Sequence, residues 1–192
     1  MQASWPGAIG DGPAAGVFNI AAVAALQSAD DAFLLGQMAP FTALAGQWVF
    51  PGGTPDPQDI SPGGKLDLLG SVARELGEET GLDIGVCKVE PGWTLVRDGG
   101  FLALIKGLTV NESAERLRAK IMDHLASEAQ PEFSAIRIVR GPADFDPTTA
   151  RFVVEYATSP RGPLLHGEAS VTGNLRPVGF PGNMGDAGLC PG

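Results

Sequence analysis

Three glutamates near the middle of the chain constrain its fold more than any other feature. Glu75, Glu78 and Glu79 lie within an apolar pattern that predicts a helix over 66–80. On a helix, positions i, i+3 and i+4 share one face, so the three carboxylates converge near its C-terminal end. Like charges repel there, and the helix macrodipole adds to the penalty. Arg74 reaches Glu78 at i+4 but neutralises only part of this charge.

A hard divalent cation removes the conflict. Oxygen ligands on one helix face suit Mg²⁺ or Mn²⁺, and no His or Cys lies nearby in the sequence to favour zinc. We therefore expect a metal ion at Glu75, Glu78 and Glu79. The alternative is a solvated acidic helix face that holds no metal and has a structural role only.

The same residues resemble a known motif. From Arg74 to Leu82 the sequence is R-E-L-G-E-E-T-G-L, which is similar at every fixed position to the second half of the Nudix box, G-x5-E-x7-R-E-U-x-E-E-x-G-U, where U is aliphatic. The segment from Trp48 to Gly53 resembles the strand and turn that open the box. Across residues 17–157 this resemblance implies the α+β Nudix fold, with a mixed β-sheet in an α/β/α sandwich. It also implies Mg²⁺-dependent (or Mn²⁺-dependent) hydrolysis of a diphosphate linked to a moiety X.

The resemblance further implies roles for individual residues. Glu75, Glu78 and Glu79 match the metal-ligating glutamates of the family, and Arg74 matches the arginine that orients them. Gly53, which opens the box, is expected to let the backbone turn tightly and approach the metal or phosphate.

The first half of the box departs from the family pattern. Six residues after Gly53 the pattern requires Glu, but this chain has Asp59, and fourteen residues instead of seven separate it from Arg74. The loop therefore carries an insertion of seven residues, which we place within 61–67. Either Asp59 or Asp67, at the start of the helix, takes the place of the missing Glu. The run from Gly53 to Asp59 also resembles the coenzyme A diphosphatase branch of the family.

The strand before the box departs as well. Many relatives keep a basic residue there that meets substrate phosphate, whereas residues 34–38 contain none. Arg97, Lys106 and Arg140 are the candidates that would supply this positive charge from other strands.

Hydrolysis also requires a base for the attacking water, or a metal ion that lowers the pKa of that water. Some relatives use a glutamate on a loop before a late strand, and Glu132 stands in a similar place. Glu128 is the second candidate for the base, and Glu78 itself is a third. The alternative for Glu132 is an ordinary exposed residue beside a proline turn. We expect His124, on the predicted helix 111–126, to be a surface residue.

Composition sets the expectations for partners and location. Lys and Arg number 13 against 22 Asp and Glu, and the resulting net charge of −9 argues against nucleic-acid binding. No run approaches the roughly 20 apolar residues of a membrane span, and residues 1–16 lack a signal-peptide pattern. Two cysteines far apart in sequence, Cys87 and Cys190, favour a cytoplasmic protein without a disulfide framework. The expected partner is a small-molecule nucleoside diphosphate derivative, with a homodimer left open.

The chain divides into three parts by composition. We predict an N-terminal arm over 1–16, a Nudix domain over 17–158 and a Gly/Pro-rich tail over 159–192. The tail either packs on the surface or a neighbouring subunit, or forms a lid over a site. The strands are predicted at 17–27, 32–36, 47–50, 93–96, 101–106 and 133–139, and the helices at 66–80, 111–126 and 148–157.

These observations predict a divalent-metal-dependent Nudix pyrophosphohydrolase acting on a nucleoside diphosphate linked to another moiety. Two alternatives stay open. One is an enzyme like the coenzyme A diphosphatases, and the other is a non-catalytic nucleotide-binding regulatory domain. The missing box Glu and the missing strand cation support the regulatory domain, whereas the intact R-E-U-x-E-E run argues against it.

Overall fold

The computed structural model describes residues 18–159 and 164–165, which contain nine strands and three α-helices. The strands are β1 (Asn19–Gln27), β2 (Phe33–Met38), β3 (Trp48–Val49), β4 (Gly52–Gly53), β5 (Cys87–Val89), β6 (Trp93–Asp98), β7 (Phe101–Val110), β8 (Phe133–Val139) and β9 (Leu164–Leu165). The helices are α1 (Leu68–Thr80), α2 (Ala114–Ser127) and α3 (Arg151–Thr158).

The strands form one mixed sheet. Its main order is β3-β2-β1-β7-β6-β9, while β4 pairs with β1, β5 with β7 and β8 with β2. Only the β1–β7 pairing is parallel among these described strands. β6 and β7 form a hairpin around residues 98–100, where Gly99 has φ 57°.

The helices lie on both faces of the sheet. Gly53 pairs with Ala22 of β1, and a side chain at Gly53 would point at Glu75 of α1. Ala22 and Gln27 lie five residues apart on one strand, so they face opposite sides. Phe33 pairs with Gln27, and its ring packs against Tyr156 of α3. α1 therefore covers one face together with α2, which contacts it, and α3 covers the other.

Local sequence explains where the two longer helices begin and end. Asp67 caps the start of α1 by accepting a hydrogen bond from the N–H of Gly70, and Gly81 ends the helix at φ 71°. Ser113 caps α2 in the same way. The apolar positions of α2 at intervals of four, Leu117, Ile121 and Leu125, are all buried in the core.

The predicted α+β class, with a mixed sheet between helices, is confirmed. The predicted strands and helices are all present within a few residues of their expected ends. The short strands β4, β5 and β9 were not predicted, and residues 57–59 of the expected loop form a 3₁₀ turn. None of the helices in the described part of the chain is long and apolar enough to cross a membrane. The arm 1–16 and most of the tail lie outside the described residues.

Candidate active site

Arg74 clamps the carboxylates at the C-terminal half of α1. One guanidinium nitrogen lies 2.9 Å from Oε1 of Glu75 and 3.2 Å from Oε2 of Glu78. The other terminal nitrogen lies 3.2 Å from Oδ2 of Asp59. A planar guanidinium offers several donors in a fixed arrangement, so a single arginine orients three acidic side chains.

Asp59 and Asp67, the two candidates for the missing box glutamate, have different partners in the structure, and which of them replaces that glutamate stays a prediction. Asp59 is 8% exposed and ion-pairs with Arg74, whereas Asp67 is engaged as the N-cap of α1. The insertion does not displace it, because the N–H of Asp67 donates to the carbonyl of Asp59 at 2.7 Å. Residues 60–66 close into a small loop between these two, held by a bridge between Ile60 and Leu66. The seven extra residues thus leave Asp59 next to the start of α1.

The environment of Asp59 favours its ionised form. Burial works against ionisation, but hydrogen bonds from the N–H of Asp56 and from Arg74 outweigh it and lower the pKa of Asp59. The lowered pKa favours a negative charge on Asp59 at neutral pH, and this charge holds the guanidinium of Arg74 in place.

Glu79 connects α1 to the glycine strand β4. Its carboxylate is 3% exposed and accepts a hydrogen bond of 2.7 Å from the N–H of Gly52. Gly52 has φ 143°, and a Cβ there would lie 2.4 Å from the carbonyl oxygen of Ala22. Only glycine can bring the backbone this close to β1. The same close backbone positions the N–H of Gly52 that donates to Glu79.

Gly53 makes room for a carboxylate. A Cβ at this position would lie 2.7 Å from Oε1 of Glu75. The backbone at Gly53 and the side chain of Glu75 are therefore in close contact. The predicted part of Gly53 in binding metal or phosphate stays a prediction, but its place beside Glu75 agrees with it.

Burial and mutual repulsion disfavour ionisation in this cluster. Burial is the main cause that raises the pKa of Glu75, with Arg74 opposing it and the charges of Glu78 and Glu132 adding to it. Burial also raises the pKa of Glu79 well above its usual value, against the N–H of Gly52 and together with Glu75, Glu132 and Glu78.

The two candidate bases differ in their relation to this cluster. Glu132 is exposed on the turn before β8, and its charge acts on both Glu75 and Glu79. Glu128 lies at the C-terminal cap of α2 and is also exposed. The influence of its charge on the cluster therefore favours Glu132 over Glu128, in the order that the sequence suggested, and the catalytic part of either stays a prediction.

The donor chemistry of the cluster fits a hard cation. Within the described residues, no three His, Cys, Asp or Glu side chains stand together in a ligand arrangement. Glu75 and Glu78 are instead turned to Arg74, and no ion pair of Glu79 is found in the same part of the chain. Glu79 is a buried carboxylate without a cationic partner among the described residues, and Glu75 and Glu78 supply further oxygen atoms beside it. Mg²⁺ and Mn²⁺ prefer such oxygen ligands.

The three candidate phosphate cations are engaged elsewhere in the structure. Arg140 ion-pairs with Asp30 and Glu115. Arg97 stacks its guanidinium on the ring of Phe18. Lys106 is 5% exposed, donates to the carbonyl of Gly92 and lies over the ring of Trp93. None of these contacts identifies a phosphate ligand.

The structure combines a mixed sheet between helices with a cluster of glutamates at the end of α1. Arg74 pairs with two of these glutamates, and the third accepts a hydrogen bond from the glycine pair of β4. The family model described as NUDIX domain matches residues 17–103. These residues belong to that family, and the resemblance drawn from residues 74–82 is confirmed. The predicted class, a Nudix pyrophosphohydrolase, agrees with this assignment.

Solved structures are similar over part of the chain. A Nudix hydrolase from M. smegmatis, RenU, is 17% identical over 73% of this chain and 81% of its own, with a TM-score of 0.47. The MutT protein of Methanosarcina mazei Go1 is 20% identical over 64% and 77%, with a TM-score of 0.42. The NUDIX domain of Shewanella oneidensis NrtR, complexed with ADP ribose, is 20% identical over 64% and 73%, also with a TM-score of 0.42. No curated protein matches the chain.

Proposed function

We propose that the chain is a divalent-metal-dependent hydrolase that cleaves the pyrophosphate bond of a nucleoside diphosphate linked to another moiety. The observation that carries this proposal is the state of Glu79, a 3% exposed carboxylate beside Glu75 and Glu78. Burying such a charge without a cation is costly, and the fold retains it at the end of a helix where it is doubly disfavoured.

Each residue of the cluster has a distinct task in this proposal. Glu75, Glu78 and Glu79 would hold Mg²⁺ or Mn²⁺, with Arg74 and Asp59 orienting the first two of them. The bound cation supplies positive charge that offsets the oxygens of the diphosphate and lowers the pKa of water. Gly52 and Gly53 leave the backbone of β4 free of side chains, so that a diphosphate can approach.

The bond changes follow from hydrolysis of an anhydride. The oxygen of water forms a bond to one phosphorus, and the bond from that phosphorus to the bridging oxygen breaks. The bridging oxygen leaves with the electron pair on the other phosphate. Glu132, exposed and within electrostatic reach of Glu75 and Glu79, accepts the proton of the water.

Glutamine variants test the assignment of the ligands. We expect Glu78→Gln and Glu79→Gln each to lower hydrolysis at least about 100-fold, more than loss of a supporting partner usually costs. Phosphate release and product masses from a panel of nucleoside diphosphate derivatives in Mg²⁺ and Mn²⁺ give the readout, and circular dichroism checks the fold. Activity within a few-fold of wild type in both variants would rule out this site.

The same panel separates the alternatives. Preferred cleavage of coenzyme A would select the diphosphatase branch. A chain that binds nucleotides but releases no product with either metal would be a regulatory domain. Comparing Glu132→Gln with Glu128→Gln then tests the base, because only the first is expected to lower the rate.

A further inference from the structure

One residue that the sequence places on the surface contacts the carboxylate helix instead. Nε2 of His124, on α2, lies 2.9 Å from the backbone carbonyl oxygen of Glu78. A carbonyl oxygen only accepts hydrogen bonds, so Nε2 carries the proton and donates it. The side chain is half-buried in this position.

The C-cap of α1 is shaped around the same imidazole. Gly81 has φ 71°, and a Cβ at residue 81 would lie 2.7 Å from Cγ of His124. Both the left-handed backbone and the close approach of the ring exclude other residues there. The ring of His124 is therefore packed against the end of the helix as well as hydrogen-bonded to it.

The end of α1 needs such an anchor. The last carbonyls of a helix have no partner within it, and negative charge destabilises that end. α1 carries Glu78 and Glu79 in its last turn and no basic residue there. The N–H of Gly81 satisfies the carbonyl of Gly77, and His124 satisfies the next carbonyl, that of Glu78.

We propose that His124 is a positioning residue of the carboxylate site, which fixes the backbone of Glu78 by a hydrogen bond from a neighbouring helix. The inference rests on the proposed function, since it assigns His124 the task of holding two of the ligands. Glu78 is bonded to it directly, and Glu79 follows in sequence with its side chain tied to Gly52. The last turn of α1 is thereby held from two sides.

α2 offers a matched control for this bond. Nε of Arg118 donates to the carbonyl of Ile136 on β8 at 2.8 Å. This is also one side-chain donor on α2 bound to one backbone carbonyl, but it ties α2 to the sheet and not to α1. A purely structural role of His124 predicts equal consequences for the loss of either bond.

The experiment measures Mn²⁺ binding, by the electron paramagnetic resonance of the free ion, together with kcat and KM, on the full chain. We compare His124→Ala, His124→Gln and Arg118→Ala. A glutamine amide donates from nearly the same position as Nε2, so it is expected to rescue the function. His124→Ala should weaken Mn²⁺ binding and lower kcat by about 10-fold or more, the range for loss of a residue that orients a ligand. His124→Gln and Arg118→Ala should stay within about 3-fold of wild type.

Each other result decides against the proposal. Equal losses in His124→Ala and Arg118→Ala, or a His124→Gln variant as weak as His124→Ala, overturn it. If His124→Ala does not fold, His124→Asn replaces it, because the shorter amide does not reach Glu78. A wild-type chain that binds Mn²⁺ but hydrolyses nothing overturns the hydrolase alone, and the binding data still decide on His124. A wild-type chain that binds no Mn²⁺ overturns both.

Discussion

Among the residues that the structure describes, Glu79 has the environment most at odds with its charge. Its carboxylate is 3% exposed, receives one N–H from Gly52 and feels the negative charges of Glu75, Glu132 and Glu78. In a chain selected only for stability this residue would be apolar or amide-bearing. Its retention is most simply explained by a cation that the folded chain binds.

Replacing this charge is expected to stabilise the metal-free protein. Glu79→Gln keeps an acceptor for Gly52 and removes the buried charge, so the free energy of unfolding in EDTA at pH 8 should rise by about 1–3 kcal/mol. The pKa of Glu79 is raised from 4.5 in the folded chain, which therefore holds a proton that the unfolded chain has lost. Wild-type stability thus falls as pH rises from 4.5 through the folded pKa.

Denaturant unfolding of both proteins at pH 5 and pH 8 checks this expectation. The gain from Glu79→Gln should be larger at pH 8 than at pH 5, because the raised pKa of Glu79 leaves more of the wild-type carboxyl protonated at pH 5 than at pH 8. The stability of Glu79→Gln is still expected to fall somewhat as pH rises, because the pKa of Glu75 is also raised in the folded chain. A Glu79→Gln protein that is less stable than wild type at pH 8 would show that the carboxylate does not destabilise the metal-free protein.

The sequence left open whether Asp59 or Asp67 replaces the missing box glutamate, and the two residues have different partners in the structure. Asp59→Asn removes the charge that fixes Arg74 and should lower hydrolysis by about 10- to 100-fold. Asp67→Ala removes the cap of α1 and should cost about 1 kcal/mol of stability while leaving the rate nearly unchanged. Kinetics and denaturant unfolding on both variants give the comparison. The opposite pattern would assign the missing box glutamate to Asp67.

At the scale of elements, α1 shows what sequence reasoning reaches. The apolar spacing and the shared face of the glutamates follow from local rules, and the structure places them as expected. The same rules predicted α2 and the strands β6 and β7. These features depend on residues close in sequence.

The parts that sequence reasoning missed depend on contacts far apart in the chain. β4 is two glycines long and exists because β1 pairs with it, which no window of local sequence reveals. The different positions of Asp59 and Asp67 depend on the closed loop 60–66. His124 looked like a surface residue on an amphipathic helix, since its partner lies 46 positions earlier.

A test of helix energetics within α1 uses its interior glycine. A Cβ at Gly77 would meet nothing closer than the carbonyl oxygen of Leu82 at 3.9 Å. Gly77→Ala should therefore raise the free energy of unfolding by about 0.5–1 kcal/mol without changing hydrolysis. Gly70→Ala is the matched control, because its Cβ would lie 2.6 Å from Oδ2 of Asp67, the residue that caps α1. Denaturant unfolding that shows equal gains for both would contradict this account of the helix.

For the molecule as a whole, the net charge of −9 describes the surface poorly. Many acidic side chains are paired: Arg140 alone joins Asp30, in the turn before β2, to Glu115 on α2. Arg74, by contrast, is shared by three carboxylates, those of Asp59, Glu75 and Glu78. A fourth carboxylate, that of Glu79, makes no ion pair with it and accepts the N–H of Gly52 instead. Part of the negative charge is therefore concentrated in this cluster, where under the proposed function a bound cation would reverse the local field for a diphosphate.

This concentration predicts how the whole fold responds to ions. A ligand at 100 times its Kd stabilises the folded state by about 2.7 kcal/mol, which in a chain of this size raises Tm by roughly 5–10 °C. Saturating Mn²⁺ should give such a shift in wild type and a much smaller one in Glu79→Gln. NaCl at equal ionic strength should shift both proteins alike, since it only screens exposed charges. Thermal unfolding followed by circular dichroism provides the measurement. Equal Mn²⁺ shifts in the two proteins would mean that the cation acts on the general surface charge, and the site at the end of α1 would lose its support.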